Sequence, residues 1–256
     1  MRHRTTAALV AYLLVAVAAC SDESADPADS SSAPATSAAP SAPATVAPGT
    51  TDTSGATDVA DTAGETPAVT FTVRPGPRQV TVLDATPGLE VELRRDDEPV
   101  AAGEVDDQGS LLFRGVDPGT GYRLFADGGA SQPFDVPDVD DVPDDALFTE
   151  QRLEAPGFGY LTVRDGTTLS ANVLLPGPVD EGPYPTVVEY SGYSPSNPDD
   201  TALAQLYTGL GFAYVGVNMR GTGCSGGSYR FFEPVQSTDG YDVIEAVAAQ
   251  PWVRDH

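Results

Sequence analysis

Phe212-Ala213-Tyr214-Val215-Gly216-Val217-Asn218-Met219 is apolar almost without interruption and lacks the in-out alternation of a half-buried strand. A run of this length and texture predicts a strand covered on both faces, as in a parallel sheet. Upstream, Thr186-Val-Val-Glu-Tyr190 is a second short apolar strand. Between the two, Thr201 to Leu210 has helical spacing, with Leu203, Leu206 and Leu210 on one face and Gly211 as its stop. Downstream, Asp239 to Gln250 predicts another helix, capped by Thr238 or Asp239, striped by Tyr241, Ile244, Val247 and Ala248, and ended by Pro251. Ahead of all four elements, Tyr160–Arg164 and Thr168–Leu175 flank Asp165-Gly166, a hairpin signal. Hairpin, strand, helix, strand, helix is the order of an α/β fold with a parallel sheet, placed at residues 151–256. A crossover helix calls for a further parallel strand beside it, so the expectation is an incomplete sheet in a truncated chain.

Outward from this region, residues 137–150 are an acidic linker in which Asp138, Asp140, Asp141, Asp144 and Asp145 alternate with Pro137 and Pro143. Calcium loops need alternating oxygen ligands around a turn glycine, and prolines stand there instead. Residues 68–136 contain short runs of period two, Val69–Val73, Gln79–Leu83, Leu89–Leu93, Leu111–Phe113 and Tyr122–Phe125, divided by Pro-Gly and Asp-x-Gly breaks. They predict a small antiparallel β-sandwich module. Residues 21–67 collapse to Ala, Ser, Thr, Pro, Gly and Asp and read as a tether with too little apolar surface to fold. At the start, Met1-Arg-His-Arg4 precedes an uncharged apolar stretch, the order of a secretory signal peptide. That stretch is shorter than the roughly 20 apolar residues of a membrane-spanning helix.

The segment 1–20 ends in Val17-Ala-Ala-Cys20, which resembles the lipobox of bacterial lipoproteins, with Cys20 as the lipid attachment site. The alternative is an ordinary signal peptide whose small-residue cleavage site happens to precede a cysteine. Acylation would hold the chain at the extracellular face of the cell membrane. The chain has two cysteines, so with Cys20 acylated Cys224 would stay a thiol. A formal net charge of -25, from 38 acidic and 13 basic residues, argues against nucleic acid or an anionic lipid surface as partner.

Three stretches bear on chemistry. The loop Tyr190-Ser-Gly-Tyr193-Ser-Pro-Ser-Asn197 follows a strand at the place from which α/β-hydrolases supply an oxyanion-hole donor. On position alone, Tyr193 either donates its hydroxyl there or packs within a polar loop. The loop Asn218-Met-Arg220-Gly-Thr-Gly223-Cys-Ser225-Gly-Gly227 has neither the spacing nor the lysine of a phosphate cradle, and it fails the dinucleotide fingerprint. Ser225 lacks the elbow glycines of a nucleophile. Cys224 is a weaker candidate still, since the histidines are His3 and His256, at the two ends of the chain. No cofactor or metal is called for by these residues.

Phe212 to Tyr229 together with Asp239-Gly-Tyr-Asp-Val-Ile-Glu-Ala-Val-Ala-Ala-Gln-Pro-Trp-Val253 resembles the X-prolyl dipeptidyl-peptidase and cocaine esterase family, and Gly159 to Pro176 is similar to its opening hairpin. The resemblance implies an α/β-hydrolase with a Ser-Asp-His triad, cleaving a peptide, ester or amide through an acyl-enzyme. Tyr193 matches the family's oxyanion-hole tyrosine. Asn218 departs from it, many relatives carrying Asp there. The family's nucleophile sits in a Gly-x-Ser-Tyr-x-Gly elbow on the next strand, so the resemblance assigns no serine, acid or base of the triad to a position in this chain and implies an inactive fragment. The contrasting expectation is a non-catalytic surface lipoprotein whose β-module binds a partner.

Overall fold

A computed structural model describes residues 67–254. The signal segment, Cys20 and nearly all of the Ala/Ser/Thr/Pro tether lie outside the described residues. The described residues begin with eight short strands: β1 (Thr72–Gly76), β2 (Gln79–Leu83), β3 (Glu90–Arg95), β4 (Glu98–Glu104), β5 (Leu111–Arg114), β6 (Gly119–Ala126), β7 (Gly129–Ala130) and β8 (Phe134–Val136). They form two antiparallel sheets, β1-β2-β5 and β4-β3-β6-β7, with β8 also paired to β6. Alternate residues of both sheets meet in one apolar core built on Val80, Val82, Leu93, Phe113, Tyr122 and Leu124. Tyr122 is buried without cost to its hydroxyl, which donates to the Asp117 carbonyl at 2.6 Å.

Strand β4 escapes the periodicity reading because its sequence, Glu-Pro-Val-Ala-Ala-Gly-Glu, is mostly exposed and offers no large alternating side chains. It is an edge strand, where Pro99 is tolerated. The turn before it carries the legible signal: Asp96 and Asp97 both have positive φ, 50° and 67°, the pair of conformations that a two-residue hairpin turn demands and that Asp tolerates.

The second unit holds α1 (Ala146–Thr149), β9 (Gly157–Thr162), β10 (Thr168–Leu174), β11 (Thr186–Ser191), α2 (Ala202–Gly209), β12 (Ala213–Asn218) and α3 (Pro234–Ala248), with one turn of 3-10 helix at Val179–Glu181. Its sheet runs β11-β12-β10-β9. The hairpin around Asp165-Gly166 is present, and Gly166 has φ of 78°. Strands β11 and β12 are parallel, in register from Thr186 opposite Ala213 to Ser191 opposite Asn218. Every residue of β12 is buried, as its composition requires. The sheet is nevertheless mixed, because the other neighbour of β12 is the antiparallel β10. Within the acidic segment 137–150, Phe148 of α1 enters the core of this unit and meets Tyr241 edge-on at 6.1 Å.

Both helices depart from the expected faces. In α2, Leu203, Leu206 and Leu210 point to solvent, whereas Ala204 is buried and Tyr207 stacks on Tyr214 of β12. The sheet accepts the small residue and the flat ring, so counting leucines selects the wrong side. Helix α3 starts five residues earlier than its apolar spacing suggests. Pro234 occupies the first helical position, and the Glu233 N–H donates to Gln236 Oε1 at 3.2 Å. Thr238 and Asp239 are therefore interior residues, and Asp239 is buried, not a cap. Tyr241 and Ile244 are exposed, and the buried stripe is Val235, Val243, Ala246 and Val247.

Candidate active site

The carboxyl ends of the parallel pair β11 and β12 open onto one side of the sheet, the side on which open α/β sheets place their ligands. A cleft of about 410 Å³ lies there, lined by Tyr190 of β11, Met219 just past β12, and Phe232, Glu233, Pro234, Gln236, Ser237 and Gly240 at the start of α3. Gly240 lets the helix lie close: a Cβ there would meet the Tyr190 ring at 3.3 Å. Tyr193, in the loop leaving β11, is 93% exposed, and its backbone N–H donates to Ser191 Oγ at 3.3 Å. Its hydroxyl stands available to solvent at the carboxyl edge. Phe231 and Phe232, at 70% and 84% exposure, pack on each other at 4.0 Å beside the cleft.

The floor beneath this edge is ionic. Arg220, just after β12, donates Nε and one terminal nitrogen to both carboxylate oxygens of Asp239, each at 2.6 Å, and the other terminal nitrogen to Asp165 at 2.9 Å. All three side chains are at most 4% exposed. Burial pushes the Asp239 carboxyl up to about 6, with Asp165 and Asp242 adding to the rise and Arg220 opposing it. Burial also acts to raise Asp165, but Arg220 and the Thr167 N–H outweigh it and hold that carboxyl below its usual range. Tyr190, whose hydroxyl reaches Asp239 at 3.5 Å, is driven upward by burial and then by that carboxylate, so it stays a neutral phenol. A second pair, Arg164 with Asp242 at 2.7 Å, ties the hairpin to the next turn of α3. Neither Arg220 nor the aspartates carry a local signal of chemistry in the sequence. Their place in the structure is to lock the loop after β12 and the N-terminal half of α3 against the hairpin.

Ser225 is fixed as a structural group. Its hydroxyl donates to the Asn218 carbonyl at 2.8 Å and accepts the Ser170 N–H at 2.9 Å, and the described residues contain no histidine. No cluster of three or more His, Cys, Asp or Glu side chains among the described residues is arranged to hold a metal ion.

The structure explains Asn218. Its Oδ1 accepts the Ser196 N–H at 3.0 Å and the Ser196 hydroxyl at 2.7 Å, while its Nδ2 donates to Thr222 Oγ1 at 3.2 Å. The single hydroxyl proton of Thr222 goes to the Met219 carbonyl at 2.8 Å, so the oxygen facing Asn218 has to accept. An aspartate would set acceptor against acceptor in a fully buried place. Asn218→Asp is expected to cost about 2 kcal/mol, measured as a lower urea midpoint at unchanged slope. No loss at neutral pH would show that Thr222 can re-aim its proton.

Three comparisons relate the chain to known proteins. Residues 165–256 match the family model described as X-Pro dipeptidyl-peptidase (S15 family). Among curated proteins, endoglucanase C of Cellulomonas fimi is 33% identical over 117 residues, which cover 39% of this chain and 9% of that protein. Among solved structures, ferulic-acid-bound Est1E from Butyrivibrio proteoclasticus is 20% identical, with a TM-score of 0.33 over 38% of this chain and 39% of that one. An α/β serine hydrolase without lid from Xanthomonas campestris is 24% identical, with a TM-score of 0.29 over 39% of this chain and 48% of that one. The chain thus spans less than half the length of each of these three proteins. The resemblance read from the sequence holds over residues 165–256, which match the X-Pro dipeptidyl-peptidase (S15 family), a family of hydrolases.

Proposed function

We propose that residues 151–256 form the first half of the catalytic sheet of an exported serine acyl hydrolase that cleaves a peptide, or a small ester or amide, through an acyl-enzyme, with Tyr193 donating to the oxyanion. The observation that carries this reading is the exposed Tyr193 hydroxyl at the common carboxyl edge of β11 and β12, beside the cleft. A donor held where negative charge develops contributes most in such reactions. Further support comes from the far side of β11. Tyr184 N–H donates to the Trp252 carbonyl at 2.8 Å, and the Arg254 N–H to the Tyr184 carbonyl at 2.9 Å, so the chain is already set parallel to the start of β11. A strand continuing from Val253 along β11 would deliver its last residue to the edge that bears Tyr193. That is the place for a nucleophile.

Purified residues 1–256 should give no turnover of an X-Pro amide or aryl ester and no labelling by a fluorophosphonate. A reading frame extended beyond the His256 codon should encode Gly-x-Ser-Tyr-x-Gly and label at that serine. Turnover by residues 1–256 alone, or an extension without the serine elbow, would overturn the proposal. Export and anchoring rest on the apolar start of the chain and on Cys20, and no helix among the described residues is long and apolar enough to cross a membrane. In one chain, acylation of Cys20 and a disulfide from Cys20 to Cys224 exclude each other. An acyl mass on the N-terminal peptide supports the anchor, and a mass shift of two protons on reduction refutes it.

A further inference from the structure

Gly76, Gln79 and Arg114 are partners in register across β1, β2 and β5, Gly76 opposite Gln79 and Gln79 opposite Arg114, so they form one rung at the end of that sheet. All three meet the second unit. Gln79, buried, donates its side-chain amide to Asp165 Oδ2 at 3.2 Å, the oxygen that also takes Arg220. Gly76 makes room for this contact, since a Cβ there would lie 2.9 Å from Asp165 Cβ and Oδ2. Arg114 donates Nε to Glu233 Oε1 at 2.7 Å and a terminal nitrogen to Ser228 Oγ at 3.0 Å. Glu233 caps the start of α3 and lines the cleft, and Ser228 opens the segment that carries Phe231 and Phe232.

We infer that the β-module is a built-in brace of the cleft, in which Arg114 positions the segment 228–236 through Glu233 and Ser228. A spacer or an independent docking module has no need to place a buried amide on another unit's buried carboxylate. A charge-assisted pair in which Glu233 is 13% and Arg114 28% exposed is far less screened than a surface ion pair. The inference concerns the wall of the cleft and stands whether or not that cleft turns over an acyl substrate.

Amide hydrogen exchange on the full chain tests it. Arg114→Gln and Arg114→Glu should each speed exchange in residues 229–237 by about tenfold, the glutamate variant more, while amides of Val243 to Val247 and of β3 and β6 keep their rates. The swap R114E/E233R should recover part of the protection, less than all because an arginine at a helix start opposes the helix dipole. Unchanged exchange in 229–237 in both single variants would overturn the inference. So would loss of protection spread evenly through α3, since the contact would then support the unit at large and not the cleft wall.

Discussion

Arg220→Ala is expected to destabilise the α/β unit by about 4 kcal/mol, because it leaves two buried carboxylates without their cation. A whole domain is stable by only about 5–15 kcal/mol, so the variant should melt this unit well before the β-module, whose core is separate. The single tryptophan of the chain, Trp252, is buried in the α/β core and reports on that unit alone. Its fluorescence should shift at a lower urea concentration than the far-ultraviolet signal of the strands, giving two transitions. The loss should also depend on pH. In Arg220→Ala nothing opposes the burial that already raises Asp239 to about 6, so its folded pKa moves further above the unfolded value near 3.9. A carboxyl raised in the folded state favours folding when protonated, so the variant regains stability as pH falls from above about 6 toward about 4 and loses it on the way up. Arg220→Lys keeps the charge but not the planar fork, and should fall between wild type and alanine. A loss below 1 kcal/mol in Arg220→Ala would mean that water or a neighbouring cation reaches Asp239.

Much of the α/β unit was legible because burial on both faces leaves a direct mark on composition. The strand at Ala213–Asn218, its parallel partner at Thr186–Ser191 and the hairpin around Asp165 stand where the apolar runs and turn residues put them. What was not legible depends on pairing at a distance. Nothing local distinguishes Asp165 as a turn residue from Asp165 as the acceptor of Arg220 and Gln79, which lie 55 and 86 residues away in the chain. The same applies to Asp239. Its short side chain near a helical pattern reads as a cap, and only the folded loop reveals the arginine. The start of α3 is obscured for a different reason: Glu233-Pro234-Val-Gln236 carries the signal of a helix start, but the apolar stripe begins later and sets the expected boundary at Asp239. Tyr193 could be placed by its loop, yet its exposure follows from Ser194, at φ of 61°, turning the chain so that Pro195 and Ser196 are buried and the tyrosine is not.

Gly216→Ala should cost about 3 kcal/mol, an unusual penalty for one methyl group. An isolated glycine inside a strand marks the close approach of another backbone. In the fold it is the loop that carries Tyr193. An alanine Cβ at 216 would lie 2.0 Å from the Pro195 carbonyl oxygen and 2.6 Å from its carbon, a contact that no rotamer relieves because both sides are main chain. The loop would have to lift from β12. Ser196 would then leave Asn218, which takes both its N–H and its hydroxyl, and would leave the Ser170 hydroxyl at 2.8 Å as well. Since Tyr193 lies three residues before Ser196, the predicted damage couples stability to the position of the proposed oxyanion donor. Exchange of the Ser196 amide is the decisive readout. It is buried and bonded in the native fold, and should exchange at least tenfold faster in Gly216→Ala at a urea concentration where the unit is still folded. If the urea midpoint falls while that amide stays protected, the strain has gone into β12 instead, and the loop does not depend on Gly216 for its place.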